Sequence, residues 1–166
     1  MKVFDKDPET WQELQDMVGQ LFGEIGCIVE VNAIVQLARG QKEIDVYVED
    51  TINKPHSKYL CECKFWKNPI PQEVIHAFRT VVADFGANRG FVISKVGFQA
   101  GSQEAVKNTN VELLTFDDLQ EIFFSRWLPS MVVKYMPYAD RLFPYWDPSG
   151  GRMPKKKWTE TDVQHL

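Results

Sequence analysis

Glu43-Ile44-Asp45-Val46-Tyr47-Val48 and Leu60-Cys61-Glu62-Cys63-Lys64-Phe65, separated by a gap that carries Asn53 and Pro55, decide the reading of this chain. Both alternate at period two, so each is expected as a β-strand. On the first, Ile44, Val46 and Val48 face a core while Glu43, Asp45 and Tyr47 face away; on the second, Cys61, Cys63 and Phe65 go inward while Glu62 and Lys64 go outward. If the two strands pair, Asp45, Glu62 and Lys64 share one side and the acids converge. Two carboxylates within reach of one hard cation, with an ammonium two residues past the second, suit phosphodiester hydrolysis. The metal would polarise the phosphate and acidify a water.

Outward from these strands, a helix is expected from Asp7-Pro8 to about Gly26, with Trp11, Leu14, Val18, Leu21, Phe22 and Ile25 as its apolar stripe. Residues 29–35 read as the strand before Ile44, joined to it through the turn Arg39-Gly40-Gln41-Lys42. After the turn Asn68-Pro69-Ile70-Pro71, a helix carries Val74, Ile75, Phe78 and Val81 or Val82 at helical spacing. The apolar run Gly90-Phe91-Val92-Ile93-Ser94 is a buried strand, 101–108 a covering helix, 111–116 the last strand, and Asp117-Asp118 open a helix to about Trp127. The pattern is an α/β fold, a mixed sheet flanked by helices on both faces. From Pro129 onward prolines interrupt an aromatic-rich stretch, so long regular structure is not expected there. The expected division is 1–128 as the main domain and 129–166 as an extension packed on it or at a contact between copies.

A chain of 166 residues with 44% hydrophobic and 25% charged residues can bury a sizeable core as one main domain. No apolar run approaches the roughly 20 residues of a membrane span, and Lys2, Asp5, Lys6 and Asp7 do not make a signal peptide, so a cytoplasmic protein without membrane contact is expected. The three cysteines cannot all pair, and Cys61 and Cys63 read as reduced core residues. A net charge of -4 argues against a general nucleic-acid coat protein, though not against a nuclease with a local basic surface. Lys64, Lys67, Arg79, Arg89, Lys95 and Lys107 fall in the central half, and Arg152, Lys155, Lys156 and Lys157 cluster near the end. Asp84, Glu104, Asp117 and Asp118 read as surface or cap residues, and His76 has no nucleophile partner for a triad.

With Asp45 and Glu62-Cys63-Lys64 on neighbouring strands, the chain resembles the restriction-endonuclease-like nucleases with the PD-(D/E)xK motif, and more specifically the Mrr-type restriction endonuclease domain. The similarity runs from about Leu14 to Phe116. Glu62-Cys63-Lys64-Phe65-Trp66 is similar to that family's acid-x-Lys strand, Gln72-Glu73-Val74 through Phe78 to its next helix, and Gly86 through Ser94 with Gly97-Phe98 to Ala105 to its following strand, loop and helix. Glu-x-Lys alone is a weak signal; the ordered set is much stronger. The resemblance implies a three-layer restriction-endonuclease-like fold and a metal-dependent DNA endonuclease in restriction or defence against foreign DNA. It implies Asp45 and Glu62 as ligands of Mg²⁺, with Mn²⁺ able to substitute. Lys64 would orient the attacking water and steady charge on the phosphate, and Gln72 matches a glutamine often found at the start of the following helix. Lys67, Arg79 and Lys95 become candidates for contacting nucleic acid. Ile44 stands where the motif has proline, and Gln15 where a metal-supporting glutamate commonly sits; an amide oxygen can ligate a hard cation but brings no charge.

One such centre cuts one strand, so double-strand cleavage favours a homodimer, and an additional sensor or recognition domain or subunit is compatible with the family. Two other functions stay open: a non-catalytic DNA-binding or assembly module on the same fold, and a nuclease acting on RNA or branched DNA.

Overall fold

Thr10 starts the first helix: its side chain accepts a hydrogen bond from the Glu13 N–H at 3.1 Å while Glu13 Oε2 accepts from the Glu9 N–H at 2.7 Å. This reciprocal capping satisfies orphan donors better than the Asp7-Pro8 start expected from sequence. The computed structural model describes residues 2–146, ordered as α1 (Trp11–Glu24), β1 (Ile28–Leu37), β2 (Gly40–Asp50), β3 (Ser57–Lys64), α2 (Gln72–Phe85), β4 (Arg89–Ser94), α3 (Ala100–Ala105), β5 (Val111–Thr115) and α4 (Phe116–Trp146). Trp11 leaves the expected stripe and is 52% exposed, whereas Leu14, Val18, Leu21, Phe22 and Ile25 are buried.

The five strands lie in the order of the chain, β1-β2-β3-β4-β5. β1, β2 and β3 form an antiparallel meander; β4 and β5 then run parallel to β3, with α2 and α3 as crossovers. Both faces are covered, as expected. Against α1 and the start of α4 lies a core of Leu14, Phe22, Val46, Val48, Cys61, Cys63, Phe91 and Phe123; against α2 and α3 lies a second core of Ile44, Leu60, Ile75, Phe78 and Val92. Gly90 lets α2 down onto the sheet, because a Cβ there would sit 2.5 Å from Val82 Cγ2 and 2.9 Å from Phe78 Cε1.

Strict alternation along β2 fails at one place. The β1–β2 ladder pairs Val31 with Val46 and Ala33 with Ile44, but does not pair Asn32 with Asp45. Asn32 has φ 55°, a left-handed conformation that asparagine tolerates better than most residues. Across this break the side chains change face: Val46 and Val48 join the core under α1, whereas Ile44 and Ala33 join the one under α2. Ile44, Val46 and Val48 therefore do not share one core. Tyr47, expected to face away, packs against the second core and meets Phe85 edge-on at 5.7 Å.

The stretch after Pro129 is a further correction. α4 continues for 31 residues through Pro129 and Pro137 to Trp146. Its first half is held by buried Phe116, Leu119, Gln120, Phe123 and Met131, which recur at helical spacing, and by Trp127, whose indole N–H donates to Glu24 Oε2 at 2.5 Å. Such anchoring outweighs the lost helix hydrogen bond at each proline, a cost of about 3 kcal/mol in an isolated helix. The side chains of Phe143, Tyr145 and Trp146 and the basic cluster from Arg152 to Lys157 lie outside the described residues.

Asp50, 1% exposed, ties α4 to the meander. Its carboxylate accepts from Arg126 Nη1 at 2.9 Å, Tyr59 Oη at 3.2 Å and Asn53 Nδ2 at 3.1 Å, and from the Ile52 and Asn53 N–H groups at 3.3 Å. Burial alone pushes this carboxyl up, but the donors from Asn53 and Arg126 together hold it below the usual carboxylate range. A depressed folded-state pKa stabilises the fold above the unfolded value, near 3.9 for aspartate, and that contribution disappears as pH falls through the folded value. Asp50→Asn should therefore melt lower than wild type at neutral pH, with the gap in Tm narrowing below about pH 4. Arg126→Ala should cost about 3 kcal/mol in urea unfolding, the low end for breaking a buried pair, because the other donors remain.

Candidate active site

The site is built where β2 and β3 part. Val46 opposite Cys61 is the last pair of their ladder. Beyond it the Cys63 N–H donates to Asp45 Oδ2 at 2.6 Å, so a side chain takes over from the neighbouring backbone. Gln15, on the buried face of α1 and only 4% exposed, donates its Nε2 to Asp45 Oδ1 at 2.8 Å. Both oxygens of Asp45 are thus held, from β3 and from α1, which fixes the rotamer of the carboxylate.

Glu62 and Lys64 leave β3 on the face opposite Cys61 and Cys63, which are buried in the first core. Lys64 Nζ lies 2.5 Å from Glu62 Oε1, and the two side chains keep only 18% and 15% of their exposure. Asp45 senses this pair. Burial raises its carboxyl above the ordinary range first, and the negative charge of Glu62 raises it further; the Cys63 N–H, Lys64 and Gln15 pull the other way without overcoming them. Two part-buried carboxylates beside one ammonium leave a local excess of negative charge. Their donor set is hard oxygen, which matches a hard divalent cation and not a thiolate-seeking one. Cys27, Cys61 and Cys63 are free and buried, as expected for reduced core residues, and burial pushes the Cys27 thiol up to about 11.

The structure therefore holds Asp45 on Gln15 from the α1 side and within electrostatic reach of Glu62 and Lys64, which leave β3 on the other face, so the single shared side expected from strict alternation does not hold. Gln72 stands exposed at the first turn of α2 with its amide oxygen over α3, where a Cβ added to Gly101 would lie 2.9 Å from it. Arg79 donates from Nη1 to the Ala105 carbonyl at 2.8 Å and lies 3.5 Å from His76 Nδ1, between α2 and α3. Lys95 is beside the acid-x-Lys strand: its N–H donates to the Lys64 carbonyl at 3.1 Å and its ammonium sits 4.0 Å over the Phe65 ring. Lys67 is exposed in the turn after β3. Asp118 caps α4 by accepting from the Thr115 N–H at 2.8 Å, Glu104 pairs with Lys107 at 2.7 Å, and Asp117 with Lys2 at 2.9 Å, as surface or cap residues should.

Two supporting residues were not read from sequence. The sequence suggests Gln15 as a cation ligand, whereas its amide N–H₂ orients Asp45. Ser94, fully buried and paired in register with Lys64, accepts from the N–H groups of Val96 and Gly97 at 3.2 and 2.9 Å and so fixes the turn after β4. The Ser-x-x-Gly spacing, with Gly97 at φ 99°, was the available signal.

Residues 7–123 match the Mrr_cat family model, described as restriction endonuclease. No curated protein matches the chain. Among solved structures it resembles AF1548, a protein of unknown function, at 21% identity and a TM-score of 0.54, covering 64% of this chain and 59% of that one. Weaker likeness extends to the DNA modification-dependent restriction endonuclease AspBHI, at 9% identity and a TM-score of 0.46 over 87% of this chain and 44% of that one. The MspJI restriction endonuclease, solved in complex with a 27-mer oligonucleotide, gives 13% identity and a TM-score of 0.42 over 93% of this chain and 35% of that one. The chain thus spans 59% or less of each of these proteins. Since the matched family span takes in α1, the whole sheet and the first turns of α4, the chain belongs to the Mrr_cat restriction endonuclease family and carries its α/β fold.

Proposed function

We propose that this protein is a Mg²⁺-dependent endodeoxyribonuclease that hydrolyses phosphodiester bonds in DNA, serving restriction or defence against foreign DNA in the cytoplasm. The carrying observation is the gathering of Asp45, Glu62 and Lys64 at the parting of β2 and β3, with Asp45 held through both oxygens. Family membership supports the nuclease part of the reading. Among the described residues no helix is long and apolar enough to cross a membrane.

In this reading Asp45 and Glu62 hold the divalent cation, whose bound form would polarise the phosphate and lower the pKa of a water. The excess of carboxylate charge around Asp45 supports that assignment. Gln15 keeps the Asp45 carboxylate aimed. Lys64 turns from Glu62 toward the phosphate, orients the attacking water and steadies the charge that builds on the phosphoryl oxygens. The water oxygen forms the new bond to phosphorus as the bond from phosphorus to the sugar oxygen breaks, the water's proton passing to solvent and the leaving oxygen taking one from solvent. Lys67 and Lys95 meet the DNA backbone near this centre. Gln72 and Arg79 serve the same surface from α2, although the carbonyl of Ala105 already engages Arg79. Residues 1–128 form the nuclease domain and 129–166 an extension packed on it or at a homodimer contact, with α4 running unbroken from one into the other. A further sensor or recognition domain or subunit would select the DNA.

Metal binding and chemistry separate by mutation. Asp45→Asn should weaken Mn²⁺ binding in calorimetric titration and abolish plasmid nicking. Lys64→Ala should bind Mn²⁺ like wild type yet nick on the order of 10²- to 10³-fold more slowly. Nicking by Lys64→Ala at the wild-type rate would sink the acid-x-Lys assignment and favour a non-catalytic DNA-binding module.

Gln15→Ala should lower Mn²⁺ affinity or nicking by about 10-fold or more, the usual effect of losing a group that orients a ligand. Circular dichroism should show the fold retained. An unchanged metal affinity and rate would reduce Gln15 to a core residue.

A further inference from the structure

Trp66 follows the acid-x-Lys strand, yet it does not share the burial of its neighbour. Phe65 packs against the first core, whereas Trp66 is 43% exposed. The Lys64 ammonium lies 5.9 Å from the centre of the indole ring. A large aromatic side chain is therefore left open to water beside the group assigned to the phosphate.

The loop that carries Trp66 is held at its far end. Ile70, fully buried, donates its N–H to the Gly97 carbonyl at 3.1 Å, and its own carbonyl accepts from the Gln99 N–H at 3.0 Å and from Ser102 Oγ at 2.8 Å. The facing turn is fixed by Ser94, and it presents Lys95 over Phe65 together with Val96, which is 43% exposed. Trp66, Lys67, Lys95 and Val96 thus all stand just past the carboxyl ends of β3 and β4, with Lys64 beside the indole and Lys95 over Phe65. An aromatic face bordered by cations is the combination with which proteins hold an unstacked base while neutralising its backbone.

We infer that Trp66 is a specificity-determining residue that stacks on a nucleobase of the DNA strand being cut, beside the phosphate that Lys64 meets. The inference rests on the nuclease reading above. In an intact duplex both faces of a base are covered by its neighbours, so Trp66 favours DNA whose base next to the cut is already unstacked: a mismatch bubble, a gap or a frayed end. The competing role, in which the indole only positions the Lys64 ammonium, would make no use of a base.

The test measures binding of the full chain by fluorescence anisotropy with chelator present, so that cleavage is off. Its probes are an oligothymidylate, an abasic strand of the same length and charge, a paired duplex and the same duplex with a mismatch bubble. Trp66→Ala should weaken binding to the oligothymidylate and the bubble duplex about 5- to 100-fold, with Trp66→Phe losing less. Neither variant should change binding to the abasic strand. The proposal is overturned if Trp66→Ala binds every probe like wild type, or if it loses as much on the abasic strand as on the oligothymidylate. Plasmid nicking with Mg²⁺ is run in parallel. A wild-type protein that shows the base-dependent binding but cuts neither the plasmid nor the bubble duplex with Mg²⁺ sinks the nuclease reading and upholds the stacking role.

Discussion

The hydrogen bond from the Cys63 N–H to the Asp45 carboxylate is the interaction around which the site is arranged. A sheet closes its ladder with backbone partners, and a place where two strands part would leave a donor without one. Here a side chain supplies the acceptor. That solution sets an acid at the fork between β2 and β3, next to the strand that brings Glu62 and Lys64, and it requires Asp45 to be buried enough for its charge to matter. The missing Asn32–Asp45 pair on the other side of β2 belongs to the same local departure from regular alternation, made possible by the left-handed backbone of Asn32.

Rigidity around this fork comes from two directions. α1 presses Gln15 onto Asp45 while its apolar stripe seals the first core, so the same helix that stabilises the sheet also aims the carboxylate. On the other side, the second core seats α2 and α3 and holds Ile70 and Ser102 under the loop that leaves β3. Asp50 and Arg126 join α4 to the end of β2, away from the candidate site. A buried acid there serves to fasten a helix, whereas the part-buried acid at Asp45 is crowded by a second carboxylate. Their surroundings differ accordingly: donors hold the Asp50 carboxyl low, and burial with the charge of Glu62 holds that of Asp45 high. Fastening needs a satisfied charge; the cation binding proposed for Asp45 needs an unsatisfied one.

The sequence by itself determined the order of helices and strands and the mixed sheet with both faces covered. Period-two alternation and glycine- and proline-bearing turns are local signals, and a register that opposes apolar residues is strongly selected. Only the tertiary structure decided the rest. The face change at Asp45, the amide of Gln15 on its carboxylate and the Asp50–Arg126 pair each join residues 30 or more positions apart or depend on a backbone twist, and no window of sequence contains them. The long α4 shows the same limit from the other side. Its prolines argue locally against a helix, and packing of Phe123 and Trp127 against the first core overrides them, because burial is a property of the assembled fold and propensity only of the chain.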